Sequence, residues 1–159
     1  MEPILELLYE NSIYSIEDMA SMLGMDKEEV EAKIAQYKED GILLGGHAII
    51  DHDKLDSNHI VAFIELKVNP QCGRGFDKIA ENMYRYPEVK SLYLMSSSGY
   101  DLLVTVEGNT MKEIAYFVAR KLAPIEDVVS TSTHFVLKKY KSHGLVHRST
   151  PVDERENCN

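Results

Sequence analysis

Up to Tyr37 the apolar residues recur at helical spacing. Ile4, Leu5, Leu7 and Leu8 form one stripe over residues 3–10, with Pro3 in the first turn, where its missing N–H costs nothing. Asn11 and Ser12 break the pattern. Ser15 then caps a second helix, with acidic Glu17 and Asp18 in its first turn. Ile16, Met19, Ala20 and Leu23 form its inner face, and Gly24 ends it. Asp26 caps a third helix, with Glu29 in the capping-box position and Val30, Ile34 and Tyr37 facing inward until Gly41. Two helices joined by a short Gly-containing turn are the helix-turn-helix pattern. Residues 41–50 hold two apolar runs around Gly45-Gly46, which predicts a β-hairpin, a wing beside the third helix.

After a polar linker over residues 51–58 the period changes from helical to alternating. Residues 60–68 read as a strand with Ala62, Ile64, Leu66 and Val68 on one face. Phe76, Ile79, Ala80 and Met83 mark a helix, and residues 90–95 and 101–107 are two further strands. Thr110 caps a helix with Met111, Ile114, Ala115, Val118 and Leu122 inward, and residues 128–138 are the last strand. The order strand-helix-strand, strand-helix-strand predicts a ferredoxin-like βαββαβ sheet with both helices on one face. Thr131, Thr133, Phe135 and Leu137 alternate with Ser132, His134 and Val136 on that last strand. Both of its sides are partly apolar, which points to a partner subunit over one face. The predicted class is therefore α+β. Its domains are 1–50 (winged helix-turn-helix), 51–58 (linker), 59–141 (ferredoxin-like) and 142–159 (a flexible tail).

Composition narrows the function. With 44% hydrophobic and 27% charged residues, the chain is globular. Cys72 and Cys158 stand far apart without a CxxC, which fits a reducing cytoplasm, and Cys72 reads as an unreactive loop thiol. Neither a signal peptide nor a membrane-spanning run is expected. The net charge of −9 opposes phosphate binding. Up to Asp56 there is no Arg, and Lys27, Lys33, Lys38 and Lys54 face Glu6, Glu10, Glu17, Asp18, Asp26, Glu28, Glu29, Glu31, Glu39 and Asp40.

The two halves of the second domain meet at Ser96-Ser97-Ser98-Gly99-Tyr100-Asp101, a tight turn in which Gly99 supplies the freedom for a positive φ. Its plain reading is a hairpin turn with Asp101 bonding its own backbone. His47, His52 and His59 flank the linker without metal-ligand spacing, and His143 and His147 lie in the tail, so no metal or cofactor is expected. His134 reads as an interface or half-buried residue.

In order, Ile16-x-x-Met19-Ala20-x-x-Leu23-Gly24, Val30-x-x-Lys33-Ile34, Gly41-Ile42-Leu43, Ser97 to Leu103 and Thr131-x-Thr133-x-Phe135-Val136-Leu137 resemble the Lrp/AsnC family of feast/famine regulators. The resemblance implies a transcription regulator that binds double-stranded DNA and dimerises, or assembles further, through its C-terminal sheet. It also implies a small-molecule effector, commonly an amino acid. Carried over by position, the effector contacts are Ser98, Gly99, Tyr100, Asp101, Thr131 and Thr133. The DNA-facing residues are Lys27, Glu28, Glu29, Lys33 and Lys38. The chain departs from the family pattern in this helix: Lys33 stands where the family favours Arg, Tyr37 replaces a usual Leu, and three glutamates repel phosphates. Two alternatives stay open. One is a haem-pathway decarboxylase-like enzyme, for which His134, Arg74, Arg85 and Arg120 would be the only evident contacts. The other is a ligand-sensing oligomer that has lost DNA.

Overall fold

A computed structural model describes residues 2–55, 58–70 and 75–147. Cys72, Arg74, Cys158 and tail residues 148–159 lie outside them. The chain divides into two compact units, Met1–Ile50 and Asp51–Asn159.

The first unit holds α1 (Pro3–Glu10), α2 (Ile16–Leu23) and α3 (Lys27–Glu39). The Ser15 hydroxyl accepts from the Asp18 N–H at 3.1 Å, and the Asp18 carboxylate accepts in return from the Ser15 N–H. This reciprocal pair satisfies donors that a helix start leaves open. Gly24 ends α2 at φ +63, a conformation that an L side chain rarely adopts. The second capping box is not formed, because the Asp26 side chain makes no cap hydrogen bond. Ile4, Met19, Ala20, Val30 and Tyr37 are the buried core. Tyr37 fits a core position because its hydroxyl donates to the Glu2 carboxylate.

The hairpin expected over residues 41–50 carries no strand. Gly45 and Gly46 lack the positive φ that a two-residue hairpin turn requires, and Leu44 is 92% exposed with no apolar surface to cover it. A lone two-stranded ribbon is marginal in water. Only Leu43 turns back onto the helical core.

The second unit opens with a 3₁₀ turn at His52–Lys54. It continues with β1 (Ile60–Val68), α4 (Phe76–Met83), β2 (Val89–Leu94), β3 (Leu102–Gly108), α5 (Met111–Phe117) and β4 (Val128–Phe135). The sheet is antiparallel in the order β2-β3-β1-β4, the ferredoxin-like arrangement. Ala62, Ile64, Leu66 and Val68 face Leu102, Val104 and Val106 from β3. With Ile79, Met83, Ile114, Phe117, Val118 and Leu122 from the helices they make one core. The chain after α5 widens into a π turn, Val118–Leu122, instead of continuing as α-helix. Thr131 and Thr133 pair with Leu66 and Ile64, so they lie on the helix-covered face. Phe63, Tyr93 and His134 stand on the opposite face, where Phe63 is 42% and Tyr93 54% exposed.

β4 stops at Phe135, three residues short of the expected end. The chain then makes a small hairpin from β5 (Lys141–Ser142) and β6 (Leu145–Val146). His143 at φ 47 and Gly144 at φ 82 provide the two positive φ values that such a turn needs. The described part of the expected flexible tail is therefore folded.

Met83 has no exposure and lies between α4 and the sheet. Met83→Ala should cost about 2–5 kcal/mol in urea unfolding, through lost burial and the cavity left behind. A loss below about 1 kcal/mol would place Met83 outside the core.

Candidate functional site

α3 would meet a DNA groove with its first turn, where Lys27, Glu28 and Glu29 are exposed. The Lys27 ammonium lies 2.6 Å from the Glu17 carboxylate of α2 and 3.9 Å from Glu31. Glu17 holds the Lys27 pKa above its ordinary value, and Lys27 holds the Glu17 carboxyl below its own. Lys33 is 3.9 Å from Glu29. Lys38, in the last turn, has no ion-pair partner among the described residues. Pairs this exposed are weak and salt-screened, so a phosphate oxygen can take the place of a carboxylate at each lysine.

The turn joining β2 to β3 is held at its Asp101 end. The Asp101 carboxylate accepts from the Val68 N–H at 2.9 Å and from the Lys67 ammonium at 3.1 Å. The Asp101 N–H donates to the Leu66 carbonyl at 2.9 Å, and the Met95 N–H to the Asp101 carbonyl at 2.8 Å. The Val68 N–H, with help from Lys67, holds the Asp101 carboxyl below the usual carboxylate range, against the opposing pull of partial burial. Asp101 thus bonds the neighbouring strand β1, where the plain sequence reading had it bonding its own backbone. Lys67 was missed because it acts only through strand adjacency. The register Leu66↔Leu102 puts it opposite Asp101, and that register follows once β1 and β3 are known to be neighbours.

Gly99 departs from expectation. Its φ is not positive, and a Cβ built on it meets nothing within 4 Å. Neither backbone conformation nor packing among the described residues requires a glycine there. Ser98 and Gly99 are exposed, Tyr100 is half-buried, and the Gly99 N–H donates to the Ser97 hydroxyl at 3.3 Å.

Among the described residues, the six expected effector residues are spread along both edges of β1. Asp101 and Thr131 flank the same end of β1 from opposite sides, because Leu66 pairs with Leu102 on one edge and with Thr131 on the other. Thr133 lies further along β4. Two surface cavities, of about 410 and 320 Å³, are lined by other residues: the first by Phe76, Tyr84 and Leu92, the second by Glu88, Tyr116 and Arg120.

The histidines are more organised than their spacing implied. His52 and His59 stack at 3.8 Å with nearly parallel rings, and His59 lies 3.4 Å from Glu107. Burial, then the neighbouring His59, pushes the His52 pKa down. His134 is 3.5 Å from Glu65 and 3.2 Å from the Ser132 hydroxyl, on the open face of the sheet. The His147 ring sits 2.6 Å from the Ser142 hydroxyl. Among the described residues no three His, Cys, Asp or Glu groups are placed to hold a metal ion.

Asp101→Ala should lower the melting temperature at neutral pH, because the Val68 N–H loses its acceptor. A carboxyl depressed by folding stabilises fully above its unfolded pKa, and that stability is lost as pH falls through the folded value. The difference between wild type and variant should therefore shrink in acid, below the ordinary carboxylate range. A difference that stays constant with pH would show that the charge of Asp101 contributes nothing.

The Lrp/AsnC ligand binding domain family matches residues 61–146, a span that includes the small C-terminal hairpin. An uncharacterized HTH-type transcriptional regulator of Bacillus subtilis, YugG, is 44% identical over 153 residues, covering 96% of this chain and 92% of its own. A proline dehydrogenase transcriptional activator of Rhizobium radiobacter is 23% identical, covering 89% and 90%. Among solved structures, Escherichia coli AsnC superposes with a TM-score of 0.65 at 19% identity, covering 88% and 91%. A Neisseria meningitidis regulator in complex with L-Met does so with a TM-score of 0.65 at 21% identity, covering 95% and 94%. These likenesses, taken with a helix-turn-helix unit and a ferredoxin-like sheet in the same order, identify the chain as a member of the Lrp/AsnC family of transcriptional regulators, not an enzyme.

Proposed function

We propose that this regulator binds duplex DNA through α3, oligomerises through the open face of its C-terminal sheet, and responds to an amino acid at the Gly99 turn. The observation that carries the reading is the pairing, on one chain, of a helix-turn-helix unit with a matched ligand-binding domain. In this reading residues 1–50 form the DNA-reading domain and residues 51–58 the linker. Lys27, Lys33 and Lys38 meet phosphates, and Glu28 and Glu29 face the groove, where a carboxylate can accept from cytosine N4. The exposed Phe63 and Tyr93 supply apolar surface for a second copy.

The effector proposal rests on Gly99. A glycine needed by neither φ nor internal packing leaves room for close approach from outside the chain. A carboxylate would meet the backbone of Ser98, Gly99 and Tyr100. An α-ammonium would meet the free lone pairs of Asp101, and Thr131 and Thr133 would add hydroxyls. The L-Met in the Neisseria meningitidis structure supports an amino acid as the class. A second copy packed over the sheet would complete the pocket in this reading.

Binding of the purified protein to its own promoter-region DNA, against random duplex, tests the reading across salt and across single L-amino acids. A saturable preference for the promoter that weakens with salt and shifts with one amino acid is expected. No preference even at low salt would mean that the glutamates of α3 exclude DNA, leaving a ligand-sensing oligomer.

Gly99→Ala should leave the melting temperature unchanged and raise the amino-acid midpoint by on the order of tenfold, about 1.4 kcal/mol. An unchanged midpoint would move the effector away from this turn.

A further inference from the structure

From Val128 to Val152 the sequence contains no acidic residue, the longest such run in a chain of net charge −9. The described part of that run ends in Lys138, Lys139 and Lys141 and the hairpin β5–β6, with His143 at its tip. None of these three lysines has a carboxylate partner among the described residues, whereas Lys27 and Lys33 of α3 are both paired with glutamates. The contrast extends to the units. Residues 1–50 carry three lysines against eleven carboxylates. A protein that holds a polyanion gains most from cations that are not already matched, and α3 has few.

The basic segment is also held in place. The hairpin closes through a two-residue turn with both φ values positive. The His147 N–H donates to the Tyr140 carbonyl at 3.0 Å, and the His147 ring is anchored by the Ser142 hydroxyl at 2.6 Å. Lys138 lies 5.0 Å from the Tyr140 ring, which is itself 68% exposed. Cations on an ordered backbone lose less freedom on meeting a phosphate than cations on a loose tail.

We propose that Lys138, Lys139 and Lys141 on this hairpin segment form a second, sequence-independent contact surface for the phosphate backbone of duplex DNA. The proposal rests on the DNA-binding reading above. It explains how a chain with an acidic reading helix can hold DNA, with α3 selecting the site and the hairpin segment supplying much of the salt-dependent affinity.

The test measures promoter and random duplex binding over a salt series, using the full-length protein. Wild type is compared with the Lys138→Gln/Lys139→Gln/Lys141→Gln variant and with the same three positions changed to Arg. The Gln variant should bind both duplexes more weakly by a common factor. Its plot of log affinity against log salt should be shallower by about one unit per lysine in each protomer that touches DNA. The Arg variant should restore the wild-type slope. Equal melting temperatures for all three proteins separate this result from misfolding. An unchanged slope in a folded Gln variant, with wild type still preferring its promoter, overturns the hairpin surface and leaves the α3 reading standing. Loss of promoter preference with the slope unchanged also overturns it. If wild type binds poly-glutamate through these lysines while DNA binding ignores them, the partner is an acidic protein and the duplex assignment is wrong. If wild type binds no duplex at any salt, both readings fall.

Discussion

The second unit depends on the burial of one face of β1 between two antiparallel neighbours. Ile64 and Leu66 have no exposure, and each is flanked by residues of β3 on one side and β4 on the other. A slip of one residue in either register would carry these side chains to the open face and bring Phe63 and Glu65 into the core. The apolar stripes of α4 and α5 have a surface to cover only because this register holds. The same register brings Lys67 and the Val68 N–H to Asp101, so the turn inherits its position from the core.

Charge works differently in the two units. In α3 Lys27 and Lys33 are matched by glutamates at short range, which leaves Lys38 as the one lysine of the helix without an ion-pair partner among the described residues. Exposed pairs of this kind are easily exchanged, so the pairing lowers affinity without blocking contact. An oligomer presenting several such helices gains by effective concentration what each lacks alone. In the hairpin segment Lys138, Lys139 and Lys141 have no ion-pair partner to displace among the described residues.

The Gly99 turn combines a fixed end with an open one. Asp101 is bonded through its carboxylate, its N–H and its carbonyl, which places it accurately with respect to β1. Ser98 and Gly99, a few residues earlier, are exposed and make few bonds. A ligand that engages both ends would act directly on the β2–β3 junction, and hence on whatever packs over the open face of the sheet. The small hairpin is a second ordered element at the end of the unit, tied to the linker side through His147, which lies 3.8 Å from Asp51.

The sequence by itself determined the helices, the four strands of the main sheet, their order in two halves and the resemblance to the family. Apolar spacing gave α1, α2 and the inner face of β1 with their bounds, because side-chain period and capping residues are local properties. Ser15 and Gly24 acted as their chemistry requires, while Asp26 did not. The tertiary structure decided what depends on neighbours distant in sequence. Residues 41–50 have the apolar pattern of a hairpin but no surface to cover it and no positive φ at Gly45 or Gly46. Asp101 found its partners on β1, Thr131 and Thr133 fell on the helix-covered face, and His52 met His59 ring on ring. Residues 142–147, Gly-containing and placed after the last expected strand, looked like a tail, and with Lys141 became a hairpin because His143 accepted a positive φ beside Gly144 and His147 found Ser142. Local pattern sets which segments fold. Strand adjacency, a non-local choice made by the buried core, sets which side chains meet.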